Sequence, residues 1–230
     1  MPEANPFRLL VFDWDGTLMD SIGTIVSCTQ ATIASLELGE LPDARIRDTI
    51  GLGLRETIDV LAPGCDEPLY LRIVETYRRH WTATYRDLPL LFDGVAATLR
   101  QLAEEGYLLA VATGKSRRGL DYALEQTGLA ELFAATRTAD EAFSKPHPQM
   151  LLDILDALGT RAREAVMIGD TSFDLEMANN AGLASVGVLC GSHGRGELER
   201  CGPLACLEGV NELPRWLATS STPQPTLQAL

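Results

Sequence analysis

The sequence predicts an α/β fold in which a parallel sheet, with helices on both faces, is interrupted by an inserted helical segment. Short runs of consecutive apolar residues recur along the chain, as is typical of parallel strands buried on both faces. Segments with helical spacing of apolar residues lie between these runs, and such alternation favours a parallel sheet. One long stretch near the N-terminus has only helical spacing. It breaks the alternation and predicts the insertion.

Four apolar runs are predicted to be strands: Phe7–Phe12, Tyr107–Ala112, Ala165–Ile168 and Ala184–Leu189. Apolar residues three and four positions apart predict the helices between them, over Gly94–Glu105, Ser116–Thr127 and Pro148–Leu158. The last of these helices has a proline in its first turn and a glycine at its end, which are ordinary start and stop signals. Together these segments form the predicted α/β core, residues 1–19 and 89–218.

Residues 20–88 are predicted to form the helical insertion. Apolar residues follow helical spacing from Ile22 to Leu36 and from Tyr70 to Trp81, and two shorter helices are predicted over Asp43–Ile50 and Leu54–Leu61.

Three segments are expected to act as connections or to lack fixed structure. Hinges between core and insertion are expected near Met19–Ser21 and Leu88–Asp93, where proline and glycine interrupt the pattern. Residues 219–230, rich in Ser, Thr, Pro and Gln, are expected to form a flexible tail.

The charge of the chain excludes several classes of partner. It has 19 basic and 32 acidic residues among 230, a formal net charge of −13. So acidic a chain repels nucleic-acid phosphates and anionic lipids, so neither nucleic acid nor a membrane surface is expected as a partner. The first residues lack the basic start of a signal peptide, and the five scattered cysteines are typical of reduced thiols. A cytoplasmic location is expected, whereas the oligomeric state is not predicted.

Polar residues follow the predicted strands where a parallel sheet binds its ligands. Asp13 and Asp15 come directly after the first strand, and Thr113 with Gly114 after the second. Asp170 and Asp174 follow the strand that begins at Ala165, and Lys145 precedes the Pro148 helix. The carboxyl ends of parallel strands meet at one edge of the sheet, so these side chains are expected to converge there.

The convergent residues suit phosphoryl transfer. Several carboxylates this close together repel one another unless a cation lies among them, and hard oxygen ligands favour Mg²⁺. Thr113 and the backbone at Gly114 can donate hydrogen bonds to phosphoryl oxygens, and Lys145 adds a positive charge. Asp13 is then available to attack phosphorus, while Asp15 can serve the leaving oxygen as a general acid.

These residues lie in four segments of the chain, 13–18, 113–116, 145–146 and 169–174. In their order and spacing the four segments resemble the signature of the haloacid dehalogenase superfamily of phosphatases. The helical insertion directly after the first segment resembles the α-helical cap of the phosphoglycolate-phosphatase-like branch, and the likeness covers roughly residues 7–217. The resemblance implies a Rossmann-like core with sheet order 5-4-1-2-3. It also implies Mg²⁺-dependent hydrolysis of a small-molecule phosphate ester, with phosphoglycolate as the first candidate.

The resemblance also assigns roles. Asp13 would be the nucleophile, Asp15 the acid and base, and Lys145 the group that neutralises the pentacoordinate state. The phosphate would be bound by Thr113 and Gly114. Mg²⁺ would be bound by Asp170 together with Asp13 and the carbonyl of Asp15, while Asp174 would orient Lys145 or a metal-bound water.

Several related activities can be weighed against the sequence. Phosphonate-cleaving relatives need a lysine in the insertion, and residues 20–87 contain none. Dehalogenases lack the second carboxylate of the first segment, and Asp15 is present here. Ile25 occupies the position of a histidine in related sugar phosphomutases, which disfavours that activity without excluding it. Nucleotides and sugar phosphates stay open as substrates, as does a non-catalytic binding or regulatory protein on this fold.

Arg55 is a candidate for substrate specificity. It follows Gly51-Leu52-Gly53-Leu54, where related caps have a loop that enters the active site, so it is a candidate to bind the far end of the substrate. The alternative is an arginine on a solvent-exposed helix.

Overall fold

The computed structural model describes residues 6–85 and 91–219. Their strands form one parallel sheet in the order β3-β2-β1-β4-β5-β6. The strand bounds are β1 Leu9–Phe12, β2 Leu108–Thr113, β3 Phe133–Thr138, β4 Ala165–Gly169, β5 Ala184–Val188 and β6 Ala205–Leu207. Read from β5 to β3, this is the 5-4-1-2-3 order that the resemblance implied, so the predicted α/β fold is confirmed. The short β6 extends the sheet beyond β5.

Two apolar clusters, one on each face of the sheet, form the core. Side chains alternate across a strand, so Leu10 and Phe12 lie in one cluster while Leu9 and Val11 lie in the other. All four are fully buried. The flanking helices are α5 Val95–Glu104, α6 Arg117–Thr127, α7 Gln149–Leu158, α8 Ser172–Ala181, α9 Arg195–Glu199 and α10 Leu213–Thr219. The three helices predicted for the core thus correspond to α5, α6 and α7.

The edge strand β3 was not predicted from the sequence. Its residues, FAATRT, are mostly only partly buried, so it lacks the continuous apolar run that marks the central strands. An edge strand has one free side and mixed burial, and the pattern that identifies a buried strand is therefore weak in it.

The helical insertion contains four helices and, within the described residues 22–85, no strand. Their bounds are α1 Ile22–Ser35, α2 Asp43–Arg47, α3 Leu54–Leu61 and α4 Glu67–Tyr85. The longest two, α1 and α4, pack against each other, and the N-terminal part of α1 packs on the side chains of Ile46 and Ile50. The two connections to the core lie side by side, because Met19 forms an antiparallel bridge with Leu91.

Two predicted segments lie wholly or partly outside the described residues. The boundary at 88 and 89 falls in the undescribed residues 86–90, and all of the predicted tail except Thr219 falls beyond residue 219. The division into core, insertion and tail therefore stays a prediction. Among the described residues, the structure has no helix with both the length and the apolar character needed to cross a membrane.

Candidate active site

The carboxyl ends of β1 and β4 bring four of the predicted site residues together. Asp13 follows β1, and its amide donates a hydrogen bond of 2.9 Å to the carbonyl of Ile168 in β4. The chain then turns at Gly16, whose φ of +81° is readily adopted only by glycine. A side chain at Gly16 would also overlap the carboxylate of Asp170. Glycine at this position therefore lets the first segment pack directly on the segment after β4.

Lys145 lies between two carboxylates in the interior. Its Nζ is 2.8 Å from Oδ1 of Asp13 and 2.6 Å from Oδ1 of Asp174, and all three side chains are at most 1% exposed. Burial lowers the pKa of Lys145, but the two carboxylates outweigh burial and raise it above its usual range. Lys145 is therefore a fixed positive charge at this edge of the sheet.

Asp174 is held by the start of α8. Its Oδ2 accepts hydrogen bonds from the amide and the hydroxyl of Thr171, at 3.1 and 2.6 Å, while Thr171 is the N-cap of that helix. This reciprocal capping box fixes both side chains. With Oδ2 engaged in this way, Asp174 has its other oxygen directed at Lys145.

Asp170 is anchored from two sides. Its Oδ1 accepts a hydrogen bond of 2.7 Å from the hydroxyl of Thr17, and its Oδ2 accepts one of 2.8 Å from the amide of Ser192. Burial, reinforced by the negative charges of Asp174 and Asp13, raises the pKa of Asp170 well above its usual range. The sequence analysis did not identify Thr17 and Ser192 as supports of the site. Thr17 could have been suspected from its place in the first motif, whereas the loop containing Ser192 carries no recognisable signal.

Asp13 is the least engaged of the buried carboxylates. Its Oδ1 lies 2.8 Å from the ammonium of Lys145, but its Oδ2 has no hydrogen-bond donor within the described residues. Burial raises the pKa of Asp13 to about 7 from an ordinary 3.8, although the neighbouring lysine lowers it. A buried carboxylate with free lone pairs is available to a further ligand or reactant.

The buried carboxylates fit a divalent cation. Asp13, Asp170 and Asp174 each offer an oxygen, and these three oxygens lie within 4.8 Å of one another. Burial, and after it the negative charges nearby, raise the pKa values of Asp13 and Asp170, and a bound cation opposes both effects. Oxygen donors of this kind suit Mg²⁺ better than a softer metal. The residues present could therefore hold such an ion.

Thr113 and Gly114 end β2 beside the helical insertion. Thr113 is buried, and a side chain at Gly114 would overlap the backbone carbonyls of Gly51 and Leu52. The insertion is tied down nearby, since the amide of Gly53 donates a hydrogen bond of 2.8 Å to the hydroxyl of Ser144 in the core. The loop between α2 and α3 thus lies directly over the residues predicted to bind phosphate.

Asp15 is turned away from the other carboxylates toward Lys115. The Nζ of Lys115 is 2.8 Å from each carboxylate oxygen of Asp15, and Ser21 donates a third hydrogen bond of 2.6 Å. Both side chains of the pair are mostly buried, and the ammonium also lies 5.2 Å from the centre of the Trp81 ring in the insertion. The sequence analysis assigned no role to Lys115, although its place directly after Gly114 was a usable signal.

Arg55 is not brought to the other site residues. Its guanidinium pairs with Glu67 at 2.8 Å and lies 4.5 Å from the centre of the Tyr70 ring, and about half of its side chain is exposed. A second partner is Asp59, at 3.6 Å. Arg55 is not among the residues lining the cavity described next. Its role in specificity therefore stays a prediction.

A cavity of about 1170 Å³ lies between the core and the insertion. On the core side it is lined by four residues of the predicted site, Asp13, Asp15, Thr113 and Gly114, and by Lys115. The insertion contributes much of the remaining wall. Asp170, Asp174 and Lys145 do not line the cavity and so form a buried layer next to Asp13.

The described residues thus combine a Rossmann-like core with a cluster of buried carboxylates beside a cavity. Comparison with known proteins makes this specific: residues 10–188 match the model of the family described as haloacid dehalogenase-like hydrolase. The chain belongs to this family, as the resemblance implied.

Curated relatives match nearly the full chain. A Dickeya dadantii protein named "Probable phosphatase IndB" is 36% identical over 89% of this chain and 91% of its own length. The phosphoglycolate phosphatase of Agrobacterium fabrum is 33% identical over 80% of this chain and 81% of its own length. They confirm the predicted phosphatase class and the phosphoglycolate-phosphatase-like branch.

The fold itself is shared with solved structures. A hydrolase from Pseudomonas syringae superimposes with a TM-score of 0.84, at 24% identity, covering 94% of this chain and all of that one.

Proposed function

We propose that the protein is a Mg²⁺-dependent phosphatase that hydrolyses a small phosphate monoester through an aspartyl-phosphate on Asp13. The observation that carries this proposal is the state of Asp13. It lines the cavity, its Oδ1 lies 2.8 Å from Lys145, and its Oδ2 has no hydrogen-bond donor within the described residues. A carboxylate so placed has lone pairs available for attack on phosphorus.

The metal would be held by Asp13 and Asp170, together with the backbone carbonyl of Asp15 that the family resemblance adds. When bound, Mg²⁺ supplies positive charge that stabilises the negative charge of a transferring phosphoryl group. The hydrogen bonds from Thr17 and Ser192 keep the carboxylate of Asp170 in place for this purpose.

In the first half of the reaction, an oxygen of Asp13 forms a bond to phosphorus and the ester P–O bond breaks. Lys145 stabilises the charge on the phosphoryl oxygens, and the hydroxyl of Thr113 with the backbone at Gly114 orients them. Asp15 enters this step in its protonated form and donates that proton to the departing alcohol oxygen. The products are the free alcohol and the phosphorylated Asp13.

In the second half, Asp15 accepts a proton from water as the water oxygen attacks the same phosphorus. The bond between phosphorus and the Asp13 oxygen breaks, which releases inorganic phosphate and restores the carboxylate. The hydrogen bond from Ser21 and the contact with Lys115 determine where Asp15 stands before the substrate enters.

The helical insertion, residues 20–88, acts as a cap in this proposal. Its loop at Gly51 and Leu52 covers Gly114, and its Trp81 contacts Lys115. Such a cover would exclude water during the transfer and open to exchange ligands. The paired connections at Met19 and Leu91 are suited to act as the hinge.

Phosphoglycolate is the first substrate to test, because the family resemblance and the name of a 33% identical relative both indicate it. Nucleoside monophosphates and sugar phosphates belong in the same screen, ranked by kcat/KM. Turnover of none of them would instead support a non-catalytic binding or regulatory protein on this fold.

The reaction is tested with p-nitrophenyl phosphate in the presence of Mg²⁺ or EDTA. We expect activity that needs Mg²⁺ and falls by at least about 10⁴-fold in Asp13→Asn, because removal of a nucleophile costs on this scale. Asp156→Asn, at an exposed aspartate of α7, is the matched control and should keep full activity. Rapid acid quenching should trap a phosphoryl group on wild-type Asp13, identified by peptide mass spectrometry. Undiminished turnover by Asp13→Asn would overturn the proposal.

A further inference from the structure

We propose that the preferred substrate carries an extended apolar group, alkyl or aryl, on the alcohol side of its phosphate ester. This inference rests on the proposed phosphatase function, since it concerns the part of the same cavity that the reaction chemistry leaves unused. That cavity, of about 1170 Å³, continues from Asp13 and Thr113 into the helical insertion. It is therefore much larger than a two-carbon alcohol such as glycolate requires.

The wall provided by the insertion is largely apolar. Helices α1, α3 and α4 contribute the half-buried side chains of Ile25, Ile33, Leu54, Ile73, Tyr77 and Trp81. Two of these, Tyr77 and Trp81, stack with ring centres 6.2 Å apart. Apolar side chains that border a water-filled space gain free energy when an apolar ligand group displaces the water. The wall thus favours a ligand with apolar surface to bury.

The charges in the cavity fit an uncharged alcohol better than an anionic one. Among the lining residues, Lys115 has its charge compensated by Asp15 at 2.8 Å. The other basic residues of the lining, Arg78 and Arg118, are exposed to solvent. A second anionic group on the substrate would have to displace Asp15 from Lys115 or reach an exposed arginine, whereas an apolar group requires neither.

The test is a series of n-alkyl phosphates. Ethyl, butyl and hexyl phosphate have leaving groups of nearly the same basicity. Differences in kcat/KM among them therefore report contacts between the alkyl group and the protein, and not differences in leaving-group reactivity. We expect kcat/KM to rise about two- to fourfold for each added methylene, the range expected when a methylene is buried. A flat or falling series, or a kcat/KM for phosphoglycolate above that for hexyl phosphate, would overturn the inference.

A pair of variants on one helix locates the effect. Ile73 lines the cavity, whereas Leu71, two residues earlier in α4, is 57% exposed and does not line it. Ile73→Gln should flatten the rise with chain length, and Leu71→Gln should leave it unchanged. Thermal melting of both variants verifies that they fold. If Ile73→Gln does not fold, the dependence of kcat/KM on chain length in the wild type alone decides whether the cavity favours apolar groups.

Failure of the inference and failure of the proposed function give different results. If phosphate monoesters are hydrolysed without preference for longer chains, only the inference fails. If none is hydrolysed, the proposed function fails, and binding still tests the cavity. Calorimetry with ethyl-, butyl- and hexylphosphonate, which cannot be hydrolysed at the P–C bond by this chemistry, should then show affinity rising with length and a negative heat-capacity change. Equal affinities would contradict the inference.

Discussion

The ammonium group of Lys115 lies 2.8 Å from both carboxylate oxygens of Asp15, in a pair whose two side chains are only 12% and 13% exposed. Exposed ion pairs contribute little to stability or to geometry, but a mostly buried, two-point contact restricts both partners. Asp15 is the residue proposed to move the proton in both halves of the reaction. Its orientation in the substrate-free enzyme is therefore determined by Lys115 and Ser21 together.

Substitution of Lys115 should impair turnover more than substrate binding. In Lys115→Met, Asp15 keeps the hydrogen bond from Ser21 but loses its two contacts with the lysine. A displacement of about 1 Å at a reacting group can cost up to about 100-fold in rate, so we expect kcat to fall by about 10- to 100-fold with little change in KM. Lys115→Arg should recover part of the loss. A raised KM with unchanged kcat would show instead that Lys115 binds substrate.

Substitution of Lys145 should destabilise the metal-free protein. Lys145→Met leaves the carboxylates of Asp13 and Asp174 buried without their cation. Removing one partner of a buried ion pair costs about 3–5 kcal/mol, measured by urea unfolding in EDTA. Arg163→Met, at an exposed arginine, is the control and should change stability by less than about 0.5 kcal/mol.

The cost of Lys145→Met should depend on pH. The folded-state pKa of Asp13, about 7, is above the ordinary 3.8, so the folded protein binds more protons than the unfolded one between these values. The contribution of Asp13 to the free energy of unfolding therefore falls as the pH rises from 3.8 to about 7. Without Lys145 the folded-state pKa of Asp13 is higher still, so in the variant this fall continues to higher pH. We expect the difference in free energy of unfolding between wild type and Lys145→Met to be smallest at about pH 5 and to grow toward about pH 8. A difference independent of pH would contradict the ion-pair explanation.

Mg²⁺ should stabilise the protein through Asp170. A ligand at about 100 times its dissociation constant adds about 2.7 kcal/mol, which for a chain of this length raises Tm by about 5–10 °C. Asp170→Asn keeps a side chain of the same shape but removes the charge, so most of the shift should vanish. Asp156→Asn should retain it. An equal shift in Asp170→Asn would place the ion elsewhere.

A side chain at Gly114 should disturb the cover of the site. In Gly114→Ala the new Cβ would overlap the carbonyl oxygens of Leu52 and Gly51, so the insertion loop must move away from the core. We expect kcat/KM to fall by about 10- to 100-fold, since closure and positioning of substrate both suffer. Gly196→Ala serves as control, because a Cβ there meets no heavy atom within 4 Å. Equal activities of the two variants would argue against a closed loop at Gly114 during catalysis.

The sequence by itself determined the fold class and predicted which residues gather at one edge of the sheet. The central strands are buried on both faces, and this is why they are continuous apolar runs that could be read directly. Because parallel strands end at a common edge, the residues that follow β1, β2 and β4 were predicted to meet there, together with Lys145 before the Pro148 helix. Asp13, Lys145, Asp170 and Asp174 do so. Local pattern and sheet topology are sufficient to predict this convergence, because each residue is positioned by the strand or helix next to it.

Only the tertiary structure decided the contacts between segments that are distant in the sequence. Asp15 pairs with Lys115, 100 residues later, and Asp170 is held by Thr17, 153 residues earlier. Arg55 pairs with Glu67 on the surface and packs on the ring of Tyr70. The spacing of residues in the sequence does not indicate these contacts. The apolar wall over the site likewise arises from how α1, α3 and α4 pack. Each of these contacts depends on which of several possible partners lies nearest in the folded protein. A sequence pattern identifies a residue's own type and spacing but not its distant partner.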